Sequence, residues 1–583
     1  MAIKKSELYS SLWAGADSLR GGMDASEYKN YVLNLLFLKY ISDKARNDAK
    51  NNTDSAIEVP QGCFYEDILA LEGDKEIGDK LNKIIAEIAE RNGLKGVIDS
   101  VDFNDSTKLG EGKAMIDTLS NLVKIFADLS LGAHGALDDD LLGDAYEYLM
   151  RHFASESGKS KGQFYTPSEV SLLLSLLLGI DENTKQDKSI YDPTCGSGSL
   201  LLKASSLAGK KGLTIYGQEK DISTTALCKM NMILHNSTDA YIAKGGSSTL
   251  SNPDLFNNKN GMLKTFDYVV ANPPFSLKNW TDGLSIDPKS KQVINDRFNR
   301  FEDGTPPEKN GDFAFLLHII KSLKDTGKGA VILPHGVLFR GNAEGAIRKN
   351  LLTKGYIKGV IGLAPNLFYG TSIPACVIVL DKENARARKG VFMIDASKDF
   401  KKDGNKNRLR EQDVQKMIDT FNALKEIPYY SKMVSLEEIS ANDYNLNIAR
   451  YIAAKQESQK DLFALINSHK ASYLPKNEIE AYAPYFQVFK ELKNTLFKKS
   501  DKEGYYALKT ECENIKDLII QDKWLNSLKN ALENKILKRI NAFTSALNKI
   551  ISNYSNSLLE LDKEVKESES KVLEHLKDLG VVV

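Results

Sequence analysis

The chain has 583 residues, 42% of them hydrophobic, with 78 basic side chains against 78 acidic ones. That length holds more than one core, with three or four domains at ~150 residues each, and a net charge of zero excludes the overall basic excess of a protein that grips nucleic acid unaided, so any such grip is segregated onto one face or supplied by a partner. Cys63, Cys195, Cys228, Cys376 and Cys512 make no CxxC pair or Cys/His cluster, which excludes a disulfide framework or structural zinc, while the N-terminal MAIKKSELYS lacks a secretory apolar stretch and the longest apolar run, 170–180, is too short to span a bilayer, so a cytoplasmic location without a membrane partner is expected.

In chain order, residues 1–151 carry a helical pattern. Leu33, Leu36, Phe37 and Tyr40 recur at helical spacing, as do Leu81, Ile84, Ile85 and Ile88. Within 152–452 short β-rich runs alternate with helices, and strands are expected at 189–191, 214–217, 266–271, 329–333, 358–361, 375–380 and 391–394. That rhythm predicts an α/β doubly wound, mostly parallel sheet. The last two runs lie close in sequence without a helix between them, which predicts an antiparallel hairpin at one edge. Residues 453–583 read as helical and rich in Lys and Glu. Leu558, Leu561, Val565, Val572, Leu576 and Leu579 stand at near-heptad spacing there, for a helix that packs on its own domain or binds a partner.

The first chemical motif is Ser189-Ile-Tyr-Asp-Pro-Thr-Cys-Gly-Ser-Gly-Ser199, a strand, a glycine-rich turn and the start of a helix. Ser199 and Leu200 follow the last glycine, so the Lys-Ser/Thr pair of a phosphate loop is missing. Leu201 stands where a dinucleotide fingerprint needs a third glycine. Asp192 inside the turn would repel phosphate and suits a ligand with a positive amino group, such as the methionine part of S-adenosylmethionine. The next strand ends in Tyr216-Gly-Gln-Glu219, and an acid there fits two vicinal ribose hydroxyls.

The third strand runs straight into Asn272-Pro-Pro-Phe275, where two prolines stiffen the turn. The lone pair of an adenine N6 is delocalised into the ring, which makes it a poor nucleophile. Two acceptors aimed at its hydrogens, the Asn272 amide oxygen and the Pro273 carbonyl, pull density onto nitrogen and stabilise the charge that develops as a methyl arrives. A sulfonium methyl donor needs no metal. A base stacked in a duplex must flip out to reach the site, and Phe275 is placed to stack on it. His318, in an apolar helix, reads as a packed histidine, and Cys195 as a small neighbour of the cofactor. Asp267 reads either as a turn acid or as a group behind the Asn272 corner.

These motifs resemble the N6-adenine DNA methyltransferases, specifically the modification subunit of type I restriction-modification systems. Residues 12–43 are similar to that family's N-terminal helical domain, and Gly162-Gln-Phe-Tyr-Thr-Pro167 to its motif ahead of the glycine loop. Pro334–Arg340 and Leu367–Thr371 resemble later segments, and Asn445–Tyr451 a closing motif in which Ala449 stands where proline is expected. The resemblance implies an N-terminal all-α domain (1–151), a methyltransferase domain (152–452) and a C-terminal helical, partner-binding region (453–583). It implies S-adenosylmethionine as cofactor, held by Asp192, Thr194, Gly196, Ser197, Gly198 and Glu219, with Phe164, Tyr165, Thr166 and Pro167 in its pocket. Asn272, Pro273 and Phe275 go to the target base. Where the family pattern has Gly followed by Asp or Asn, this chain has Lys244-Gly-Gly-Ser-Ser-Thr249, so Ser247 or Ser248 would take the cofactor-adenine contact. No stretch offers room for a target-recognition domain. The implied partners are double-stranded DNA, a separate specificity subunit, a second copy of the modification subunit and a restriction subunit. A methyltransferase acting on RNA or on a protein amide, or an inactive scaffold, are the competing readings.

Overall fold

In a computed structural model of the chain, the residues described are 25–51, 57–127, 148–150, 153, 165–209, 212–254, 261–369, 371–404, 406–452, 473–480, 497–500, 503–508 and 566–571. The chain divides into two compact units, Met1–Ala454 and Lys455–Val583.

Among the described residues the N-terminal part of the first unit holds the helices α1 (Ala25–Lys50), α2 (Tyr65–Leu69), α3 (Ile77–Arg91), α4 (Ser106–Leu109) and α5 (Lys113–Ala127). Their apolar stripes meet as the spacing predicts. Leu33, Leu36 and Phe37 of α1, Leu81, Ile85 and Ile88 of α3, and Leu119, Leu122 and Phe126 of α5 are all buried. Each such side chain contributes roughly 1.5–3 kcal/mol on burial. The same core takes in Ala226, Leu227, Met230 and Leu234 from a helix of the following α/β layer, so the helical domain is seated on that layer.

The α/β part follows as α6 (Ser168–Leu177), β1 (Ser189–Asp192), α7 (Ser199–Leu207), β2 (Thr214–Gly217), α8 (Ile222–Leu234), β3 (Tyr241–Ile242), β4 (Phe266–Ala271), α9 (Asp312–Lys321), β5 (Leu323–Pro334), α10 (Asn342–Thr353), β6 (Ile357–Gly362), β7 (Ala375–Asp381), β8 (Gly390–Asp395), β9 (Lys401–Asp403), β10 (Lys406–Arg408), α11 (Glu411–Asn422), β11 (Ser431–Ser435) and α12 (Leu436–Ala441). Nine strands form one sheet in the order β11-β8-β6-β7-β5-β4-β1-β2-β3. The strands from β3 to β5 are mutually parallel, and β6 and β8 also pair in parallel.

The antiparallel hairpin is there, with a partner other than the one expected. β7 pairs antiparallel with β6 and, on its other side, with β5, whereas β8 pairs in parallel with β6 and antiparallel with β11. The expected hairpin of 375–380 with 391–394 does not form, because β6 lies between those strands. β7 is buried along its whole length, which an interior place in the sheet requires and an edge does not.

The chain lays down β1, β2 and β3 in one direction, then returns to the other side of β1 for β4 and β5. Between β1 and β4 the order reverses, and ligands of open α/β sheets bind at the carboxyl ends of the strands at such a point. At the other end of these strands, Asp267 ties three of them together. It accepts hydrogen bonds from Lys188 Nζ at 2.8 Å, Ser189 N at 3.1 Å and Lys324 Nζ at 2.7 Å. Burial works to raise its pKa, but these partners outweigh it and hold the carboxyl well below the usual carboxylate range. Asp267 is a brace at the foot of the sheet.

In the second unit, β12 (Tyr473–Pro475), β13 (Phe497–Lys499) and β14 (Tyr505–Leu508) form an antiparallel sheet in the order β12-β14-β13, with the short helix α13 (Lys476–Glu480). A purely helical region was expected there. The leucine-rich positions from Leu558 to Leu579 lie outside the described residues. Among the described residues no helix is long and apolar enough to cross a membrane.

Candidate active site

β1 delivers Asp192 to the switch point fully buried. One carboxylate oxygen accepts the Thr194 N–H at 2.8 Å and, weakly, the Thr194 hydroxyl at 3.4 Å. The other oxygen, Oδ2, has no hydrogen-bond partner. Burial, with the Glu219 charge adding to it, pushes the Asp192 carboxyl up to about 8, against the pull of the Thr194 N–H. An orphaned buried carboxylate oxygen is costly, and its retention here points to a group that completes its shell on binding.

The turn that follows is built on glycine. Gly196 and Gly198 have φ of 53° and 82°, a left-handed conformation that side chains with a Cβ adopt at a cost. A Cβ on Gly198 would stand 2.5 Å from Met232 Cε and 2.9 Å from Cys228 Sγ. The Gly196 N–H donates to Glu219 Oε2 at 3.1 Å, and the second Glu219 oxygen accepts the Asp221 N–H at 2.9 Å. Glu219 at the end of β2 is thus held against the glycine turn, with its pKa raised by burial. The Ser197 carbonyl accepts from Asn231 Nδ2 at 3.0 Å, while the Ser197 hydroxyl is buried without a partner. Cys195 Sγ lies 3.8 Å from Cys228 Sγ, a packed neighbour rather than an exposed nucleophile.

Sequence reasoning missed Gln218, which is fully buried beside Glu219. Its Nε2 donates to Asn252 O at 3.0 Å and its Oε1 accepts the Asp254 N–H at 3.1 Å. It therefore fixes the loop that carries Ser247 and Ser248, both half-buried. Thr249 from the same loop donates to the Pro193 carbonyl at 2.6 Å.

β4 delivers Asn272 beside this cradle. Asn272 Nδ2 donates to Thr166 Oγ1 at 3.1 Å. That bond orients the amide so that its oxygen is left as the free acceptor. Thr166 and Tyr165 are buried, and Pro167 caps α6. Phe164, the remaining expected pocket residue, lies outside the described residues. Pro273 is buried, and Phe275 is half-buried with its ring 6.0 Å from that of Phe368 at 74°, an edge-to-face pair.

Behind the corner stands a charged support that sequence reasoning also missed. Ser276 has a φ of 51° and donates its N–H to Asp312 Oδ1 at 2.7 Å. Asp312, at the start of α9, takes Arg340 on its other oxygen at 2.5 Å, and Arg340 reaches Glu344. Asp312 thus holds the turn after Phe275, backed by Arg340 and Glu344. The signal was present in Pro334–Arg340, a segment singled out without a role for its arginine. His318 is packed, as expected. Its Nε2 lies 3.2 Å from the Tyr191 hydroxyl and its Nδ1 3.4 Å from Arg300, and burial, then Arg300, hold its pKa well below the usual value.

The site therefore holds a glycine cradle with an unsatisfied buried carboxylate oxygen, next to a proline-stiffened corner whose Asn272 amide is held through its nitrogen. Among the described residues no group of three or more His, Cys, Asp or Glu side chains could hold a metal ion.

Known proteins match the helical part and the α/β part of the chain. The N-6 DNA methylase family matches residues 137–460, and the HsdM N-terminal domain family matches residues 8–126. The type I restriction enzyme MpnII methylase subunit of Mycoplasma pneumoniae is 33% identical over 505 residues, 77% of this chain and 90% of that protein. The MjaVII methylase subunit of Methanocaldococcus jannaschii is 30% identical, over 78% of this chain and 79% of that protein. The crystal structure of a type I restriction-modification system methyltransferase subunit from Streptococcus thermophilus superposes with a TM-score of 0.68 at 33% identity, covering 77% of this chain and 100% of that one. The chain belongs to the methylase subunits of type I restriction enzymes, which are N6-adenine DNA methyltransferases.

Proposed function

We propose that this chain transfers a methyl group from S-adenosylmethionine to adenine N6 in double-stranded DNA, as the modification subunit of an assembly whose sequence reading belongs to a separate specificity subunit. The observation that carries the reading is the Asn272–Thr166 hydrogen bond beside the glycine cradle.

The residues fit the cofactor. Asp192 Oδ2 is buried and unpartnered, and Gly198 leaves room that a Cβ would close. Asp192, Thr194, Gly196, Ser197, Gly198 and Glu219 would hold it, with Tyr165, Thr166 and Pro167 along one wall. When bound, it supplies a methyl group on a positively charged sulfur.

The chain's own residues do the rest. Asn272 Oδ1 and the Pro273 carbonyl accept the two N6 hydrogens, which draws density onto the nitrogen and stabilises its developing charge. Phe275 stacks on the flipped base. Asp312 and Arg340 keep the turn from relaxing when the base enters. The division into a helical domain to 151, a methyltransferase domain to 452 and a partner-binding remainder belongs to this proposal. So do a second copy of the chain and a restriction subunit. The net charge of zero accords with delegating sequence readout and part of the phosphate grip.

The experiment is methyl transfer from labelled S-adenosylmethionine to unmodified genomic DNA, to RNA and to protein, with and without a co-expressed specificity subunit, followed by mapping of the modified bases. Label in DNA adenines, dependent on the specificity subunit, is the expected result. Label confined to RNA or protein, or none with either preparation, overturns the proposal.

A further inference from the structure

We infer that the basic hairpin β9–β10, together with Lys203, holds the phosphate backbone of the DNA strand next to the flipped adenine. The inference rests on the DNA reading above and adds the surface that grips the strand.

The hairpin pairs Lys401–Asp403 with Lys406–Arg408, and its residues 401–404 are exposed. It borders a cavity of about 450 Å³ whose rim is completed by the starts of α6 and α11 and by Lys203 of α7. None of the glycine-loop residues lines this cavity, so it is separate from the cofactor cradle. Lys203, Lys401 and Lys402 have no ion-pair partner among the described residues. Arg408 is about half exposed and meets Glu169 only at 3.7 Å, an exposed pair worth less than ~1 kcal/mol. Arg410 is already engaged by Asp413 at 2.8 Å. Besides Arg410, four cations therefore stand on the lining of this cavity, against Glu169, Asp403 and Glu411.

The placement ties this rim to the chemistry. Asn407 N and Nδ2 donate to Asn366 O at 3.0 Å and Pro365 O at 2.7 Å, and Lys406 Nζ donates to Phe368 O at 2.6 Å. The hairpin is thus fastened to the segment whose Phe368 ring packs on Phe275. Ser168, which also lines the cavity, is two positions beyond Thr166, at most ~7 Å of chain, and Thr166 holds Asn272. A flipped nucleotide stays covalently joined to its neighbours. Its flanking phosphates must pass close to the corner, and a rim of unpaired lysines fastened there receives them as point charges without reading sequence.

The test replaces Lys401, Lys402 and Arg408 together by Gln in the full chain, purified with its co-expressed specificity subunit. DNA binding is measured against salt, and methyl transfer against DNA concentration. The expected result is a salt slope shallower by about 2 to 3 and a KM for DNA raised about tenfold, with kcat at saturating DNA within about twofold of the parent. A control removes the same charge at the opposite end of the strands, Lys185, Arg386 and Lys389 to Gln, and keeps the parental slope. An unchanged slope and KM in the hairpin variant, or an equal change in the control, overturns the inference. Loss of the assembled complex on size-exclusion chromatography also overturns it, and makes the hairpin a protein contact. A parent assembly that methylates no DNA overturns the reading above and this inference with it, whereas an active parent matched by the variant removes the hairpin assignment alone.

Discussion

Thr166 Oγ1 accepts a hydrogen bond from Asn272 Nδ2 at 3.1 Å, across 106 positions of sequence. The segment ahead of the glycine turn thereby fixes which end of the Asn272 amide is left to accept a hydrogen bond. Thr166→Val keeps the shape and removes the acceptor, so the amide turns freely. Its kcat is expected to fall about tenfold, the worth of one lost positioning bond, with cofactor affinity within about threefold. Thr166→Ser restores the rate. Equal rates in the parent and the Val variant would show that the bond does not matter.

On the proposed function, Asn272→Ala removes one of the two acceptors for the substrate amine. Loss of a preorganised acceptor of this kind costs about 100- to 1,000-fold in kcat. The cradle is untouched, so S-adenosylmethionine binding, read by calorimetry, is expected to stay within about twofold. Full methyl transfer by this variant would remove Asn272 from the chemistry.

Asp192 supplies a pH dependence whose sign follows from burial. Its carboxyl stands at about 8 in the folded protein, against about 3.9 in an unfolded chain. The folded state therefore keeps a proton that the unfolded state gives up, and this group's contribution to stability falls as pH rises through that window. The cofactor binding proposed for Asp192 draws on its ionised form. Affinity is expected to rise with pH up to about 8 and then level, with proton uptake by buffer on binding below that point. Asp192→Asn flattens the stability profile and weakens cofactor binding about tenfold or more. A parental affinity that is constant from pH 6 to 9 contradicts this assignment.

Gly198→Ala combines a φ of 82° with a Cβ at 2.5 Å from Met232 Cε. Left-handed strain and overpacking together are expected to cost about 2 kcal/mol of stability, seen as a lower thermal midpoint, and to weaken cofactor binding. In a Met232→Ala background Gly198→Ala is expected to cost less than in the parent, because the methyl nearest the new Cβ is gone while Cys228 Sγ at 2.9 Å remains. An equal cost in both backgrounds would leave backbone strain and Cys228 as the source of the loss.

Much of the sheet was legible because its strands are short apolar runs bounded by turn residues. The ranges 214–217 and 266–271 coincide with β2 and β4. The hairpin β9–β10 was not legible, since Lys401–Asp403 and Lys406–Arg408 have no apolar alternation. Edge strand β11 was hidden by the mixed Ser431–Ser435 pattern, and the place of β7 depends on strands distant in sequence. At the site, Asp192 and Asn272 announced themselves through glycine and proline neighbours with a local mechanical reason. Gln218, Asp312 and Arg340 did not, because each acts on a segment that only tertiary folding brings near.

The reversal of strand order between β1 and β4 also dictates a sequence of assembly. The cradle joins neighbours in the chain: Asp192 pairs with Gly217 across β1 and β2, and Gly196 with Glu219. The corner takes its place only when β4 returns to register Tyr268 against Ile190, and that long-range closure is the slow kind of contact. A nascent chain is therefore expected to close the glycine turn against Glu219 before β4 brings the Asn272 corner beside it, and a limited-proteolysis time course during refolding would show the β1–β2 segment protected first.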